Sequence, residues 1–467
     1  MGGGNFAKEK PKSIVIISCH QQRLLNLSVA EHLLAKKRNI KRRLKDFVKL
    51  LLRNNPKLIS RLYASWAGLH GAPLVIDSVT LTQLAGLHQK HTLSLIGKKG
   101  INLLGFLNGE FGVAEASRAF ARALQVNEIP HVLNAVEVGG HKYGDQTFQD
   151  FAEDNPYNVN LISINPDCLP AMFKELGDEY FKNKYNIGLW YWELSEFPPQ
   201  WYSCFALLDE IWVTSSFCAT AIAKVSPIPV VKITYPLVTK VPDPQFNRAH
   251  FQIPEDVFSF VFSFDFYSAF ERKNPSAVIE AFRRAFTQSD KALLVLKSIN
   301  SQVNPAMFEQ MCKEIKGLNV QVINQHLTHD EVQGLFAACD CLVSLHRAEG
   351  LGLGMAEAMA MGKPVIATAY SGNMEFMDVN NSFPVRYKLV ELTRDIGLYT
   401  KGNMWAEPDI DHAAELMRYV YENREAAAHV GQRAAQDIRT SMDPLVTGRE
   451  IQTRLQLLPS TSTETGA

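Results

Sequence analysis

The chain has 467 residues, 46% of them hydrophobic and 21% charged, enough for two or three domains with real cores. Lysine plus arginine and aspartate plus glutamate stand at 48 each, so no bulk charge points to nucleic acid. Seven cysteines without a CxxC pair argue against a zinc knuckle or a disulfide framework and suit a reducing cytosol.

No stretch has the roughly 18 apolar residues in a row that a membrane span needs. The opening MGGGNFAKEKPKS lacks the apolar segment of a signal peptide. A cytoplasmic protein is therefore expected. Residues 13–19 (SIVIISC) read as a short β-branched strand. Between Lys36 and Arg61 eleven basic residues face one acid, Asp46, while Ile40, Leu44, Phe47, Val48 and Leu51 recur at helical spacing. Such a basic amphipathic helix either lies on an anionic membrane surface or packs on the protein by its apolar stripe, and both readings stay open.

A second unit begins near Lys99. Residues 101–107 (INLLGFL) form a buried-strand run, 108–112 a glycine turn, and 114–125 (AEASRAFARALQ) a helix. Strand, glycine loop and helix open a doubly wound α/β domain. Further strands are expected at 158–164, 186–191, 210–214 and 230–233, followed by a proline-rich linker at 235–244. A second α/β series starts at 258–264 (FSFVFSF), with strands at 292–296, 320–323, 341–345 and 364–368. Helices fall at 275–287, 305–316, 328–338 and 355–361. One more helix follows Pro408, and a last one precedes a Ser/Thr-rich tail after Leu458. The expected fold class is α/β: two Rossmann-like domains, 96–240 and 241–445, facing a cleft. An extension with the basic helix (1–95) precedes them, and a terminal helix and tail (446–467) follow.

The richest stretch runs from Ser344 to Gly372, SLHRAEGLGLGMAEAMAMGKPVIATAYSG. A strand ends near His346, a loop carries Gly350, Gly352 and Gly354, and a helix starts near Leu353. Small residues let the amides of Gly350, Leu351, Gly352 and Leu353 approach an anion, and the helix start adds partial positive charge. That geometry suits a diphosphate, although the glycine spacing alone fits any Rossmann turn. Glu349 precedes the helix and Glu357 stands eight positions later inside it, so both should face one ligand at two depths. A second cluster, Arg272 and Lys273, stands just before a helix that Asn274 or Ser276 could cap. Cations at a helix start oppose its dipole, which argues for a compensating anion. A divalent metal could do the same work, but the one DxD, Asp409–Ile410–Asp411, reads as a helix cap. No metal ligand set is expected.

Taken together, Glu349, Glu357, the glycine loop and the strand at 363–368 resemble the EX7E signature of retaining glycosyltransferases with the GT-B fold, family four, group 1. The resemblance covers roughly residues 100–443, is strongest over 348–372, and is absent from the first 95. It implies a metal-independent hexosyl transfer that uses a nucleotide-diphosphate sugar as co-substrate and no other cofactor. By that resemblance Glu349 meets donor-sugar hydroxyls and is the catalytic candidate, Glu357 binds the ribose, and Arg272 and Lys273 grip the diphosphate. Gly109 and Gly112 would reach across the cleft toward the phosphates, the alternative being a plain tight turn. Lys297, at a strand end, is a candidate for phosphate or base, and the nucleobase would lie at 325–328, around Leu327.

The run GLWYWELSEFPPQW at 188–201 is dense in aromatics. Trp192 and Glu193 are candidates to stack on and hydrogen-bond an acceptor sugar, the alternative being a strand of core aromatics. His346 is either a third acceptor contact or a satisfied strand-end histidine. A saccharide or lipid-linked saccharide acceptor, as in surface-polysaccharide assembly, is the expected partner, and contact with anionic lipid at the inner membrane face goes with the basic helix. Two rivals remain: a nucleotide-sugar epimerase of the same fold, and a sugar-nucleotide-binding scaffold without catalysis. An NAD-dependent oxidoreductase fits poorly, because Gly109-x-x-Gly112 does not match the early dinucleotide fingerprint.

Overall fold

The computed structural model describes residues 95, 97–138, 142–238 and 240–458. The strand expected at 13–19, the basic helix at 36–61 and the tail after 458 lie outside the described residues.

The N-terminal half is built on β1 (Lys98–Gly105), β2 (His131–Ala135), β3 (Tyr157–Ser163), β4 (Tyr185–Leu189), β5 (Glu210–Val213) and β6 (Val230–Lys232). All pair in parallel, in the order β2-β1-β3-β4-β5-β6. Ile101, Leu103 and Leu104 of β1 are fully buried, as a strand covered on both faces requires. Helix α1 (Gly112–Val126) follows β1, its alanine-rich sequence favouring helix and burying Ala116, Phe120 and Leu124. Helices α2 (Leu169–Leu176), α3 (Asp178–Phe181) and α4 (Ser216–Ala223) follow in chain order. Strand β2 was not expected. Its sequence, HVLNA, is short and carries two polar residues, because β2 is an edge strand with partly exposed side chains.

The C-terminal half contains β7 (Phe258–Asp265), α5 (Phe270–Lys273), α6 (Pro275–Ala285), β8 (Ala292–Ile299), α7 (Pro305–Glu314), β9 (Val320–Asn324), α8 (His329–Ala338), β10 (Cys341–Ser344), α9 (Leu353–Ala360), β11 (Val365–Thr368) and β12 (Phe383–Val385). Its parallel strands run β12-β11-β10-β7-β8-β9. Alternation along β7 feeds two cores. Phe258, Phe260, Phe262 and Phe264 enter one cluster with Phe282 and Phe286, and Val261 enters the other. An antiparallel hairpin, β13 (Tyr387–Glu391) with β14 (Met404–Pro408), was also not expected. Helices α10 (Ile410–Glu422), α11 (Arg424–Ser441) and α12 (Pro444–Gln456) close the described chain.

Each sheet reverses its strand order once, between β1 and β3 in the first and between β7 and β10 in the second. Ligands of doubly wound sheets bind outside the carboxyl ends of the strands at such points. The loops after β1, β7 and β10 are the ones that carry Gly112, Arg272 and Glu349.

The terminal helix α12 returns to the N-terminal half. Asn127 Nδ2 at the end of α1 donates to Pro444 O (2.9 Å), and Glu450 Oε2 accepts from the Thr234 amide (2.7 Å). Arg454 reaches the fully buried Glu210, its Nε donating to Oε1 at 2.9 Å, beside the Tyr185 hydroxyl and the Trp212 Nε1. Removing one member of a buried ion pair strands the other charge. Arg454→Ala should therefore lower stability by about 3 kcal/mol in urea unfolding. Adding Glu210→Gln to it should recover a large part of that loss.

Candidate functional site

A cleft of about 830 Å³ lies between the two sheets, walled by residues 111–113 and 190s aromatics on one side and by 262–273, 349–357 and 394–399 on the other. Helices α1, α5 and α9 begin on it, and Asn304 at the start of α7 also lines it. Helix α1 starts after Phe111 and helix α9 after Gly352, and neither has a side-chain cap bond. Helices α4, α7, α8, α10 and α12 are capped by Ser215, Asn304, Thr328, Asp409 and Asp443, whereas α5, α6 and α11 are not. The starts of α1 and α9 thus border the cleft with no side-chain acceptor on their first amides, an arrangement that favours an anion.

Glu349 is the centre of the charge arrangement. Its Oε1 lies 2.5 Å from Lys273 Nζ and its Oε2 3.1 Å from an Arg272 nitrogen. Burial works to raise its pKa, but Lys273 and Arg272 overcome that and hold the carboxyl down at about 2. Arg272 is almost fully buried, and the same nitrogen donates to Ala348 O at 2.8 Å. Its other terminal nitrogen lies 3.7 Å from Glu193 Oε1. The Arg272 and Lys273 backbone turns within α5, and Asn274 does not cap α6. Its backbone is left-handed (φ 58°), and its Nδ2 donates to Leu345 O at 3.0 Å, tying the cation loop to the end of β10.

The Glu349 loop is fixed from behind. Its amide donates to Ser371 Oγ (2.8 Å), and its carbonyl accepts from the Gly372 amide (2.8 Å). A Cβ on Gly372 would lie 2.1 Å from the Gly350 carbonyl oxygen, so only glycine permits this approach. Ser371 holds the left-handed φ of 78°, a strain that surrounding contacts must maintain. Of the three loop glycines only Gly352, at φ 92°, needs to be glycine for its backbone angle.

Glu357 is half-buried on α9 and faces the other half of the molecule. Burial, then the carboxylate of Glu115 on α1, push its pKa up to about 8, against a hydrogen bond from Gln333. Glu115 itself is held by Arg118 (2.7 Å) and Arg122 (3.0 Å). Arg118 also pins the first glycine turn, donating to Leu107 O (3.1 Å) and Gly109 O (2.5 Å).

The cleft wall brings together Gly112, Trp192, Glu193, Arg272, Lys273, Glu349, Gly350, Leu351, Gly352, Leu353 and Glu357. Four expected site residues stand off that wall. Gly109 is turned into the loop that Arg118 holds, and Leu327 is buried in the core. Lys297 is buried at the end of β8, where burial lowers its pKa to about 8 against the pull of Asp265. His346 is fully enclosed, with Nδ1 against Ser344 Oγ (3.0 Å) and Nε2 against Asn373 Oδ1 (3.1 Å). It matches the strand-end alternative and offers no ring nitrogen to an acceptor. Trp192 lines the wall but is itself packed, its ring against Trp201 (5.2 Å) and Tyr399 (5.5 Å) and its Nε1 donating to Glu196 O (2.8 Å).

Sequence reasoning missed three groups. Tyr399, on the β13–β14 connection, donates to Glu193 Oε2 (3.2 Å) and lays its ring 5.9 Å from the Arg272 guanidinium. Ser215 Oγ (2.7 Å) and Cys218 Sγ (3.3 Å) reach the Gly350 carbonyl from the N-terminal half. Asn165 and Asp167 line the cleft beside Glu193. None of these carries a motif. Asp409 accepts from the His412 amide (3.1 Å) and caps α10 as expected, while Asp411 pairs with Arg284 of α6 (2.6 Å).

Residues 247–437 match the family described as glycosyl transferases, group 1. A search of curated proteins finds no matching sequence. Among solved structures, a glycosyltransferase from Rickettsia africae superposes with a TM-score of 0.56 at 12% identity, covering 77% of this chain and 98% of that one. Sucrose-phosphate synthase from Thermosynechococcus elongatus gives 0.56 at 14% identity, covering 77% and 99%. HepE from Anabaena, solved with UDP and glucose, gives 0.53 at 14%, covering 77% and 100%. The likeness is one of fold, and the fold is the expected GT-B arrangement.

A Glu pKa raised by folding makes stability fall as pH climbs from the unfolded value near 4.5 to about 8, because the folded state holds the proton longer. Glu357→Gln should remove that loss. Its melting temperature should exceed the parent's at pH 8 and approach it at pH 4.5, read by thermal unfolding across that range.

Proposed function

We propose that this chain, a group 1 glycosyl transferase by its residues 247–437, moves a hexose from a nucleotide-diphosphate sugar to a saccharide or lipid-linked saccharide acceptor, with retention and without a metal ion. One observation carries the reading. Arg272, Lys273 and the uncapped starts of α1 and α9 converge on one cleft, with Glu349 bridging both cations.

The leaving nucleoside diphosphate gains negative charge as the glycosidic bond breaks, and preorganised donors that meet this charge lower the barrier. Arg272 and Lys273 supply that charge directly, in the place a divalent ion would otherwise fill. Glu349, held ionised between them, is left to accept hydrogen bonds from sugar hydroxyls. Glu357, deeper on α9, meets the ribose as a carboxyl group that keeps its proton at neutral pH and so both donates and accepts. Retention is proposed through a same-face reaction. The bond from C1 to the phosphate oxygen breaks, the bond from C1 to the acceptor oxygen forms, and the acceptor's proton passes to the leaving phosphate oxygen. Glu193 and the Trp192–Trp201 corner form the acceptor side of the cleft. Lys297, behind the wall, would act on the phosphates or base only through its field. A place in surface-polysaccharide assembly is proposed from the basic stretch at 36–61.

Calorimetry against a panel of sugar nucleotides should find one that binds and that EDTA does not displace, and NMR of the product should show the donor's anomeric configuration kept. Glu349→Ala should still bind nucleotide yet lose transfer by more than about a hundredfold. Lys273→Ala should weaken nucleotide binding by roughly ten- to a hundredfold, the size of a charge-assisted contact. Unchanged turnover in Glu349→Ala would remove that residue from the reaction, and an isomerised sugar nucleotide formed from donor alone would favour an epimerase. Full-length chain should sediment with anionic liposomes and be released by salt; no such binding ends the lipid-linked reading.

A further inference from the structure

We propose that Glu193 competes with the donor diphosphate for Arg272, so that donor binding releases Glu193 to the acceptor. This rests on the donor reading above and deepens it by assigning an order to the two substrates.

Arg272 is held by two carboxylates from opposite halves of the molecule. Glu349, in the C-terminal half, takes one terminal nitrogen at 3.1 Å. Glu193, in the N-terminal half, stands 3.7 Å from the other. The two contacts differ in burial and support. Glu349 is nearly enclosed, held by Lys273 as well, and fixed through its backbone by Ser371 and Gly372. Glu193 is the more exposed partner, its side chain 24% accessible, and among the described residues its hydrogen bond beyond Arg272 comes from the Tyr399 hydroxyl at 3.2 Å. Of the two carboxylates, Glu193 is the one an incoming phosphate displaces.

The local charge balance favours a displacement. Arg272 and Lys273 with Glu349 and Glu193 sum to zero, and the rest of the wall adds Arg394 against Asp167, Asp265, Glu271 and Asp395. A diphosphate set among them adds negative charge in a buried place, which is costly unless a carboxylate moves away. Arg272 also has capacity to redirect, for its Nε is buried with no hydrogen-bond partner among the described residues. Glu193 sits directly after Trp192 on the wall that also carries Asn165, Asp167 and Trp201. A carboxylate freed there faces polar ground suited to an acceptor hydroxyl. The acceptor's ligand is thus occupied by Arg272 unless the donor is bound, which sets a donor-first order.

The test is calorimetry with UDP and GDP on the parent chain, Glu193→Gln and Tyr399→Phe. Removing the competing charge should tighten binding of whichever nucleotide the parent takes, by roughly three- to tenfold, the size of one partly exposed ion pair. Tyr399→Phe, which loosens Glu193 without touching its charge, should tighten it to a smaller degree. It serves as the second reading if Glu193→Gln folds poorly. Damage to the site would weaken binding instead. Equal or weaker binding in both variants, with the parent still binding, overturns the competition while leaving the donor reading intact. No binding of either nucleotide to any of the three proteins removes the donor reading and the competition with it.

Discussion

The pairing of Glu349 with Arg272 and Lys273 is the constraint on which the cleft depends. A carboxylate as enclosed as Glu349 survives in its charged form only with cations in contact, and both cations come from a different loop. That makes the loop after β7 and the loop after β10 a single electrostatic unit. Asn274 strengthens the link by donating to Leu345 O, and Arg347 extends it, its amide donating to Arg272 O. The geometry of the two cations is therefore set before any substrate enters, which is what preorganised charge stabilisation requires.

The backbone supports this in a way that the charges alone would not. Parallel sheets end their strands on one side, and the loops at the reversal of strand order open a crevice there. The helix starts of α1 and α9 border that crevice without side-chain caps. A cap residue at Phe111 or Gly352 would have stabilised its helix by about 1 kcal/mol, so the missing caps leave donors available at a cost in stability. The Gly372–Gly350 contact fits the same pattern, since packing there is so close that no other residue fits.

Much of this was legible in the sequence. Buried apolar runs marked ten of the twelve described parallel strands, and Glu349 and Glu357 stood out through the resemblance of their loop to a family signature, not through the glycine spacing alone. Arg272 and Lys273 were visible as cations where a helix dipole disfavours them. What stayed hidden depended on tertiary contact. Tyr399 lies in a loop between two hairpin strands and is brought to Arg272 only by the fold. Ser215 and Cys218 look like an ordinary helix start. His346 could be read either way from sequence, because the partners that enclose it, Ser344 and Asn373, are a strand residue and a residue 27 positions later. The edge strand β2 was missed because half-exposed edge positions dilute the apolar pattern.

The contacts that join the two halves fall close to the Glu349 loop, and this has a mechanical consequence. Ser215 and Cys218, at the start of α4, hold the carbonyl of Gly350, the residue after Glu349. One turn away Glu375 accepts from the Ser216 amide (2.7 Å) and pairs with Lys232, so the same helix start is tied to the loop that fixes Glu349 from behind. On the other side of the cleft Glu110 meets His326 at 2.6 Å, joining the first glycine turn to the segment after β9. Any movement of one half against the other must pass through these ties, and the first set pulls directly on the glycine loop. Packed contacts of this kind have discrete arrangements and do not stretch continuously. The position of the N-terminal half and the shape of the glycine loop are thus coupled, because the side of the cleft that carries Glu193 and Trp192 holds the Gly350 carbonyl through Ser215 and Cys218.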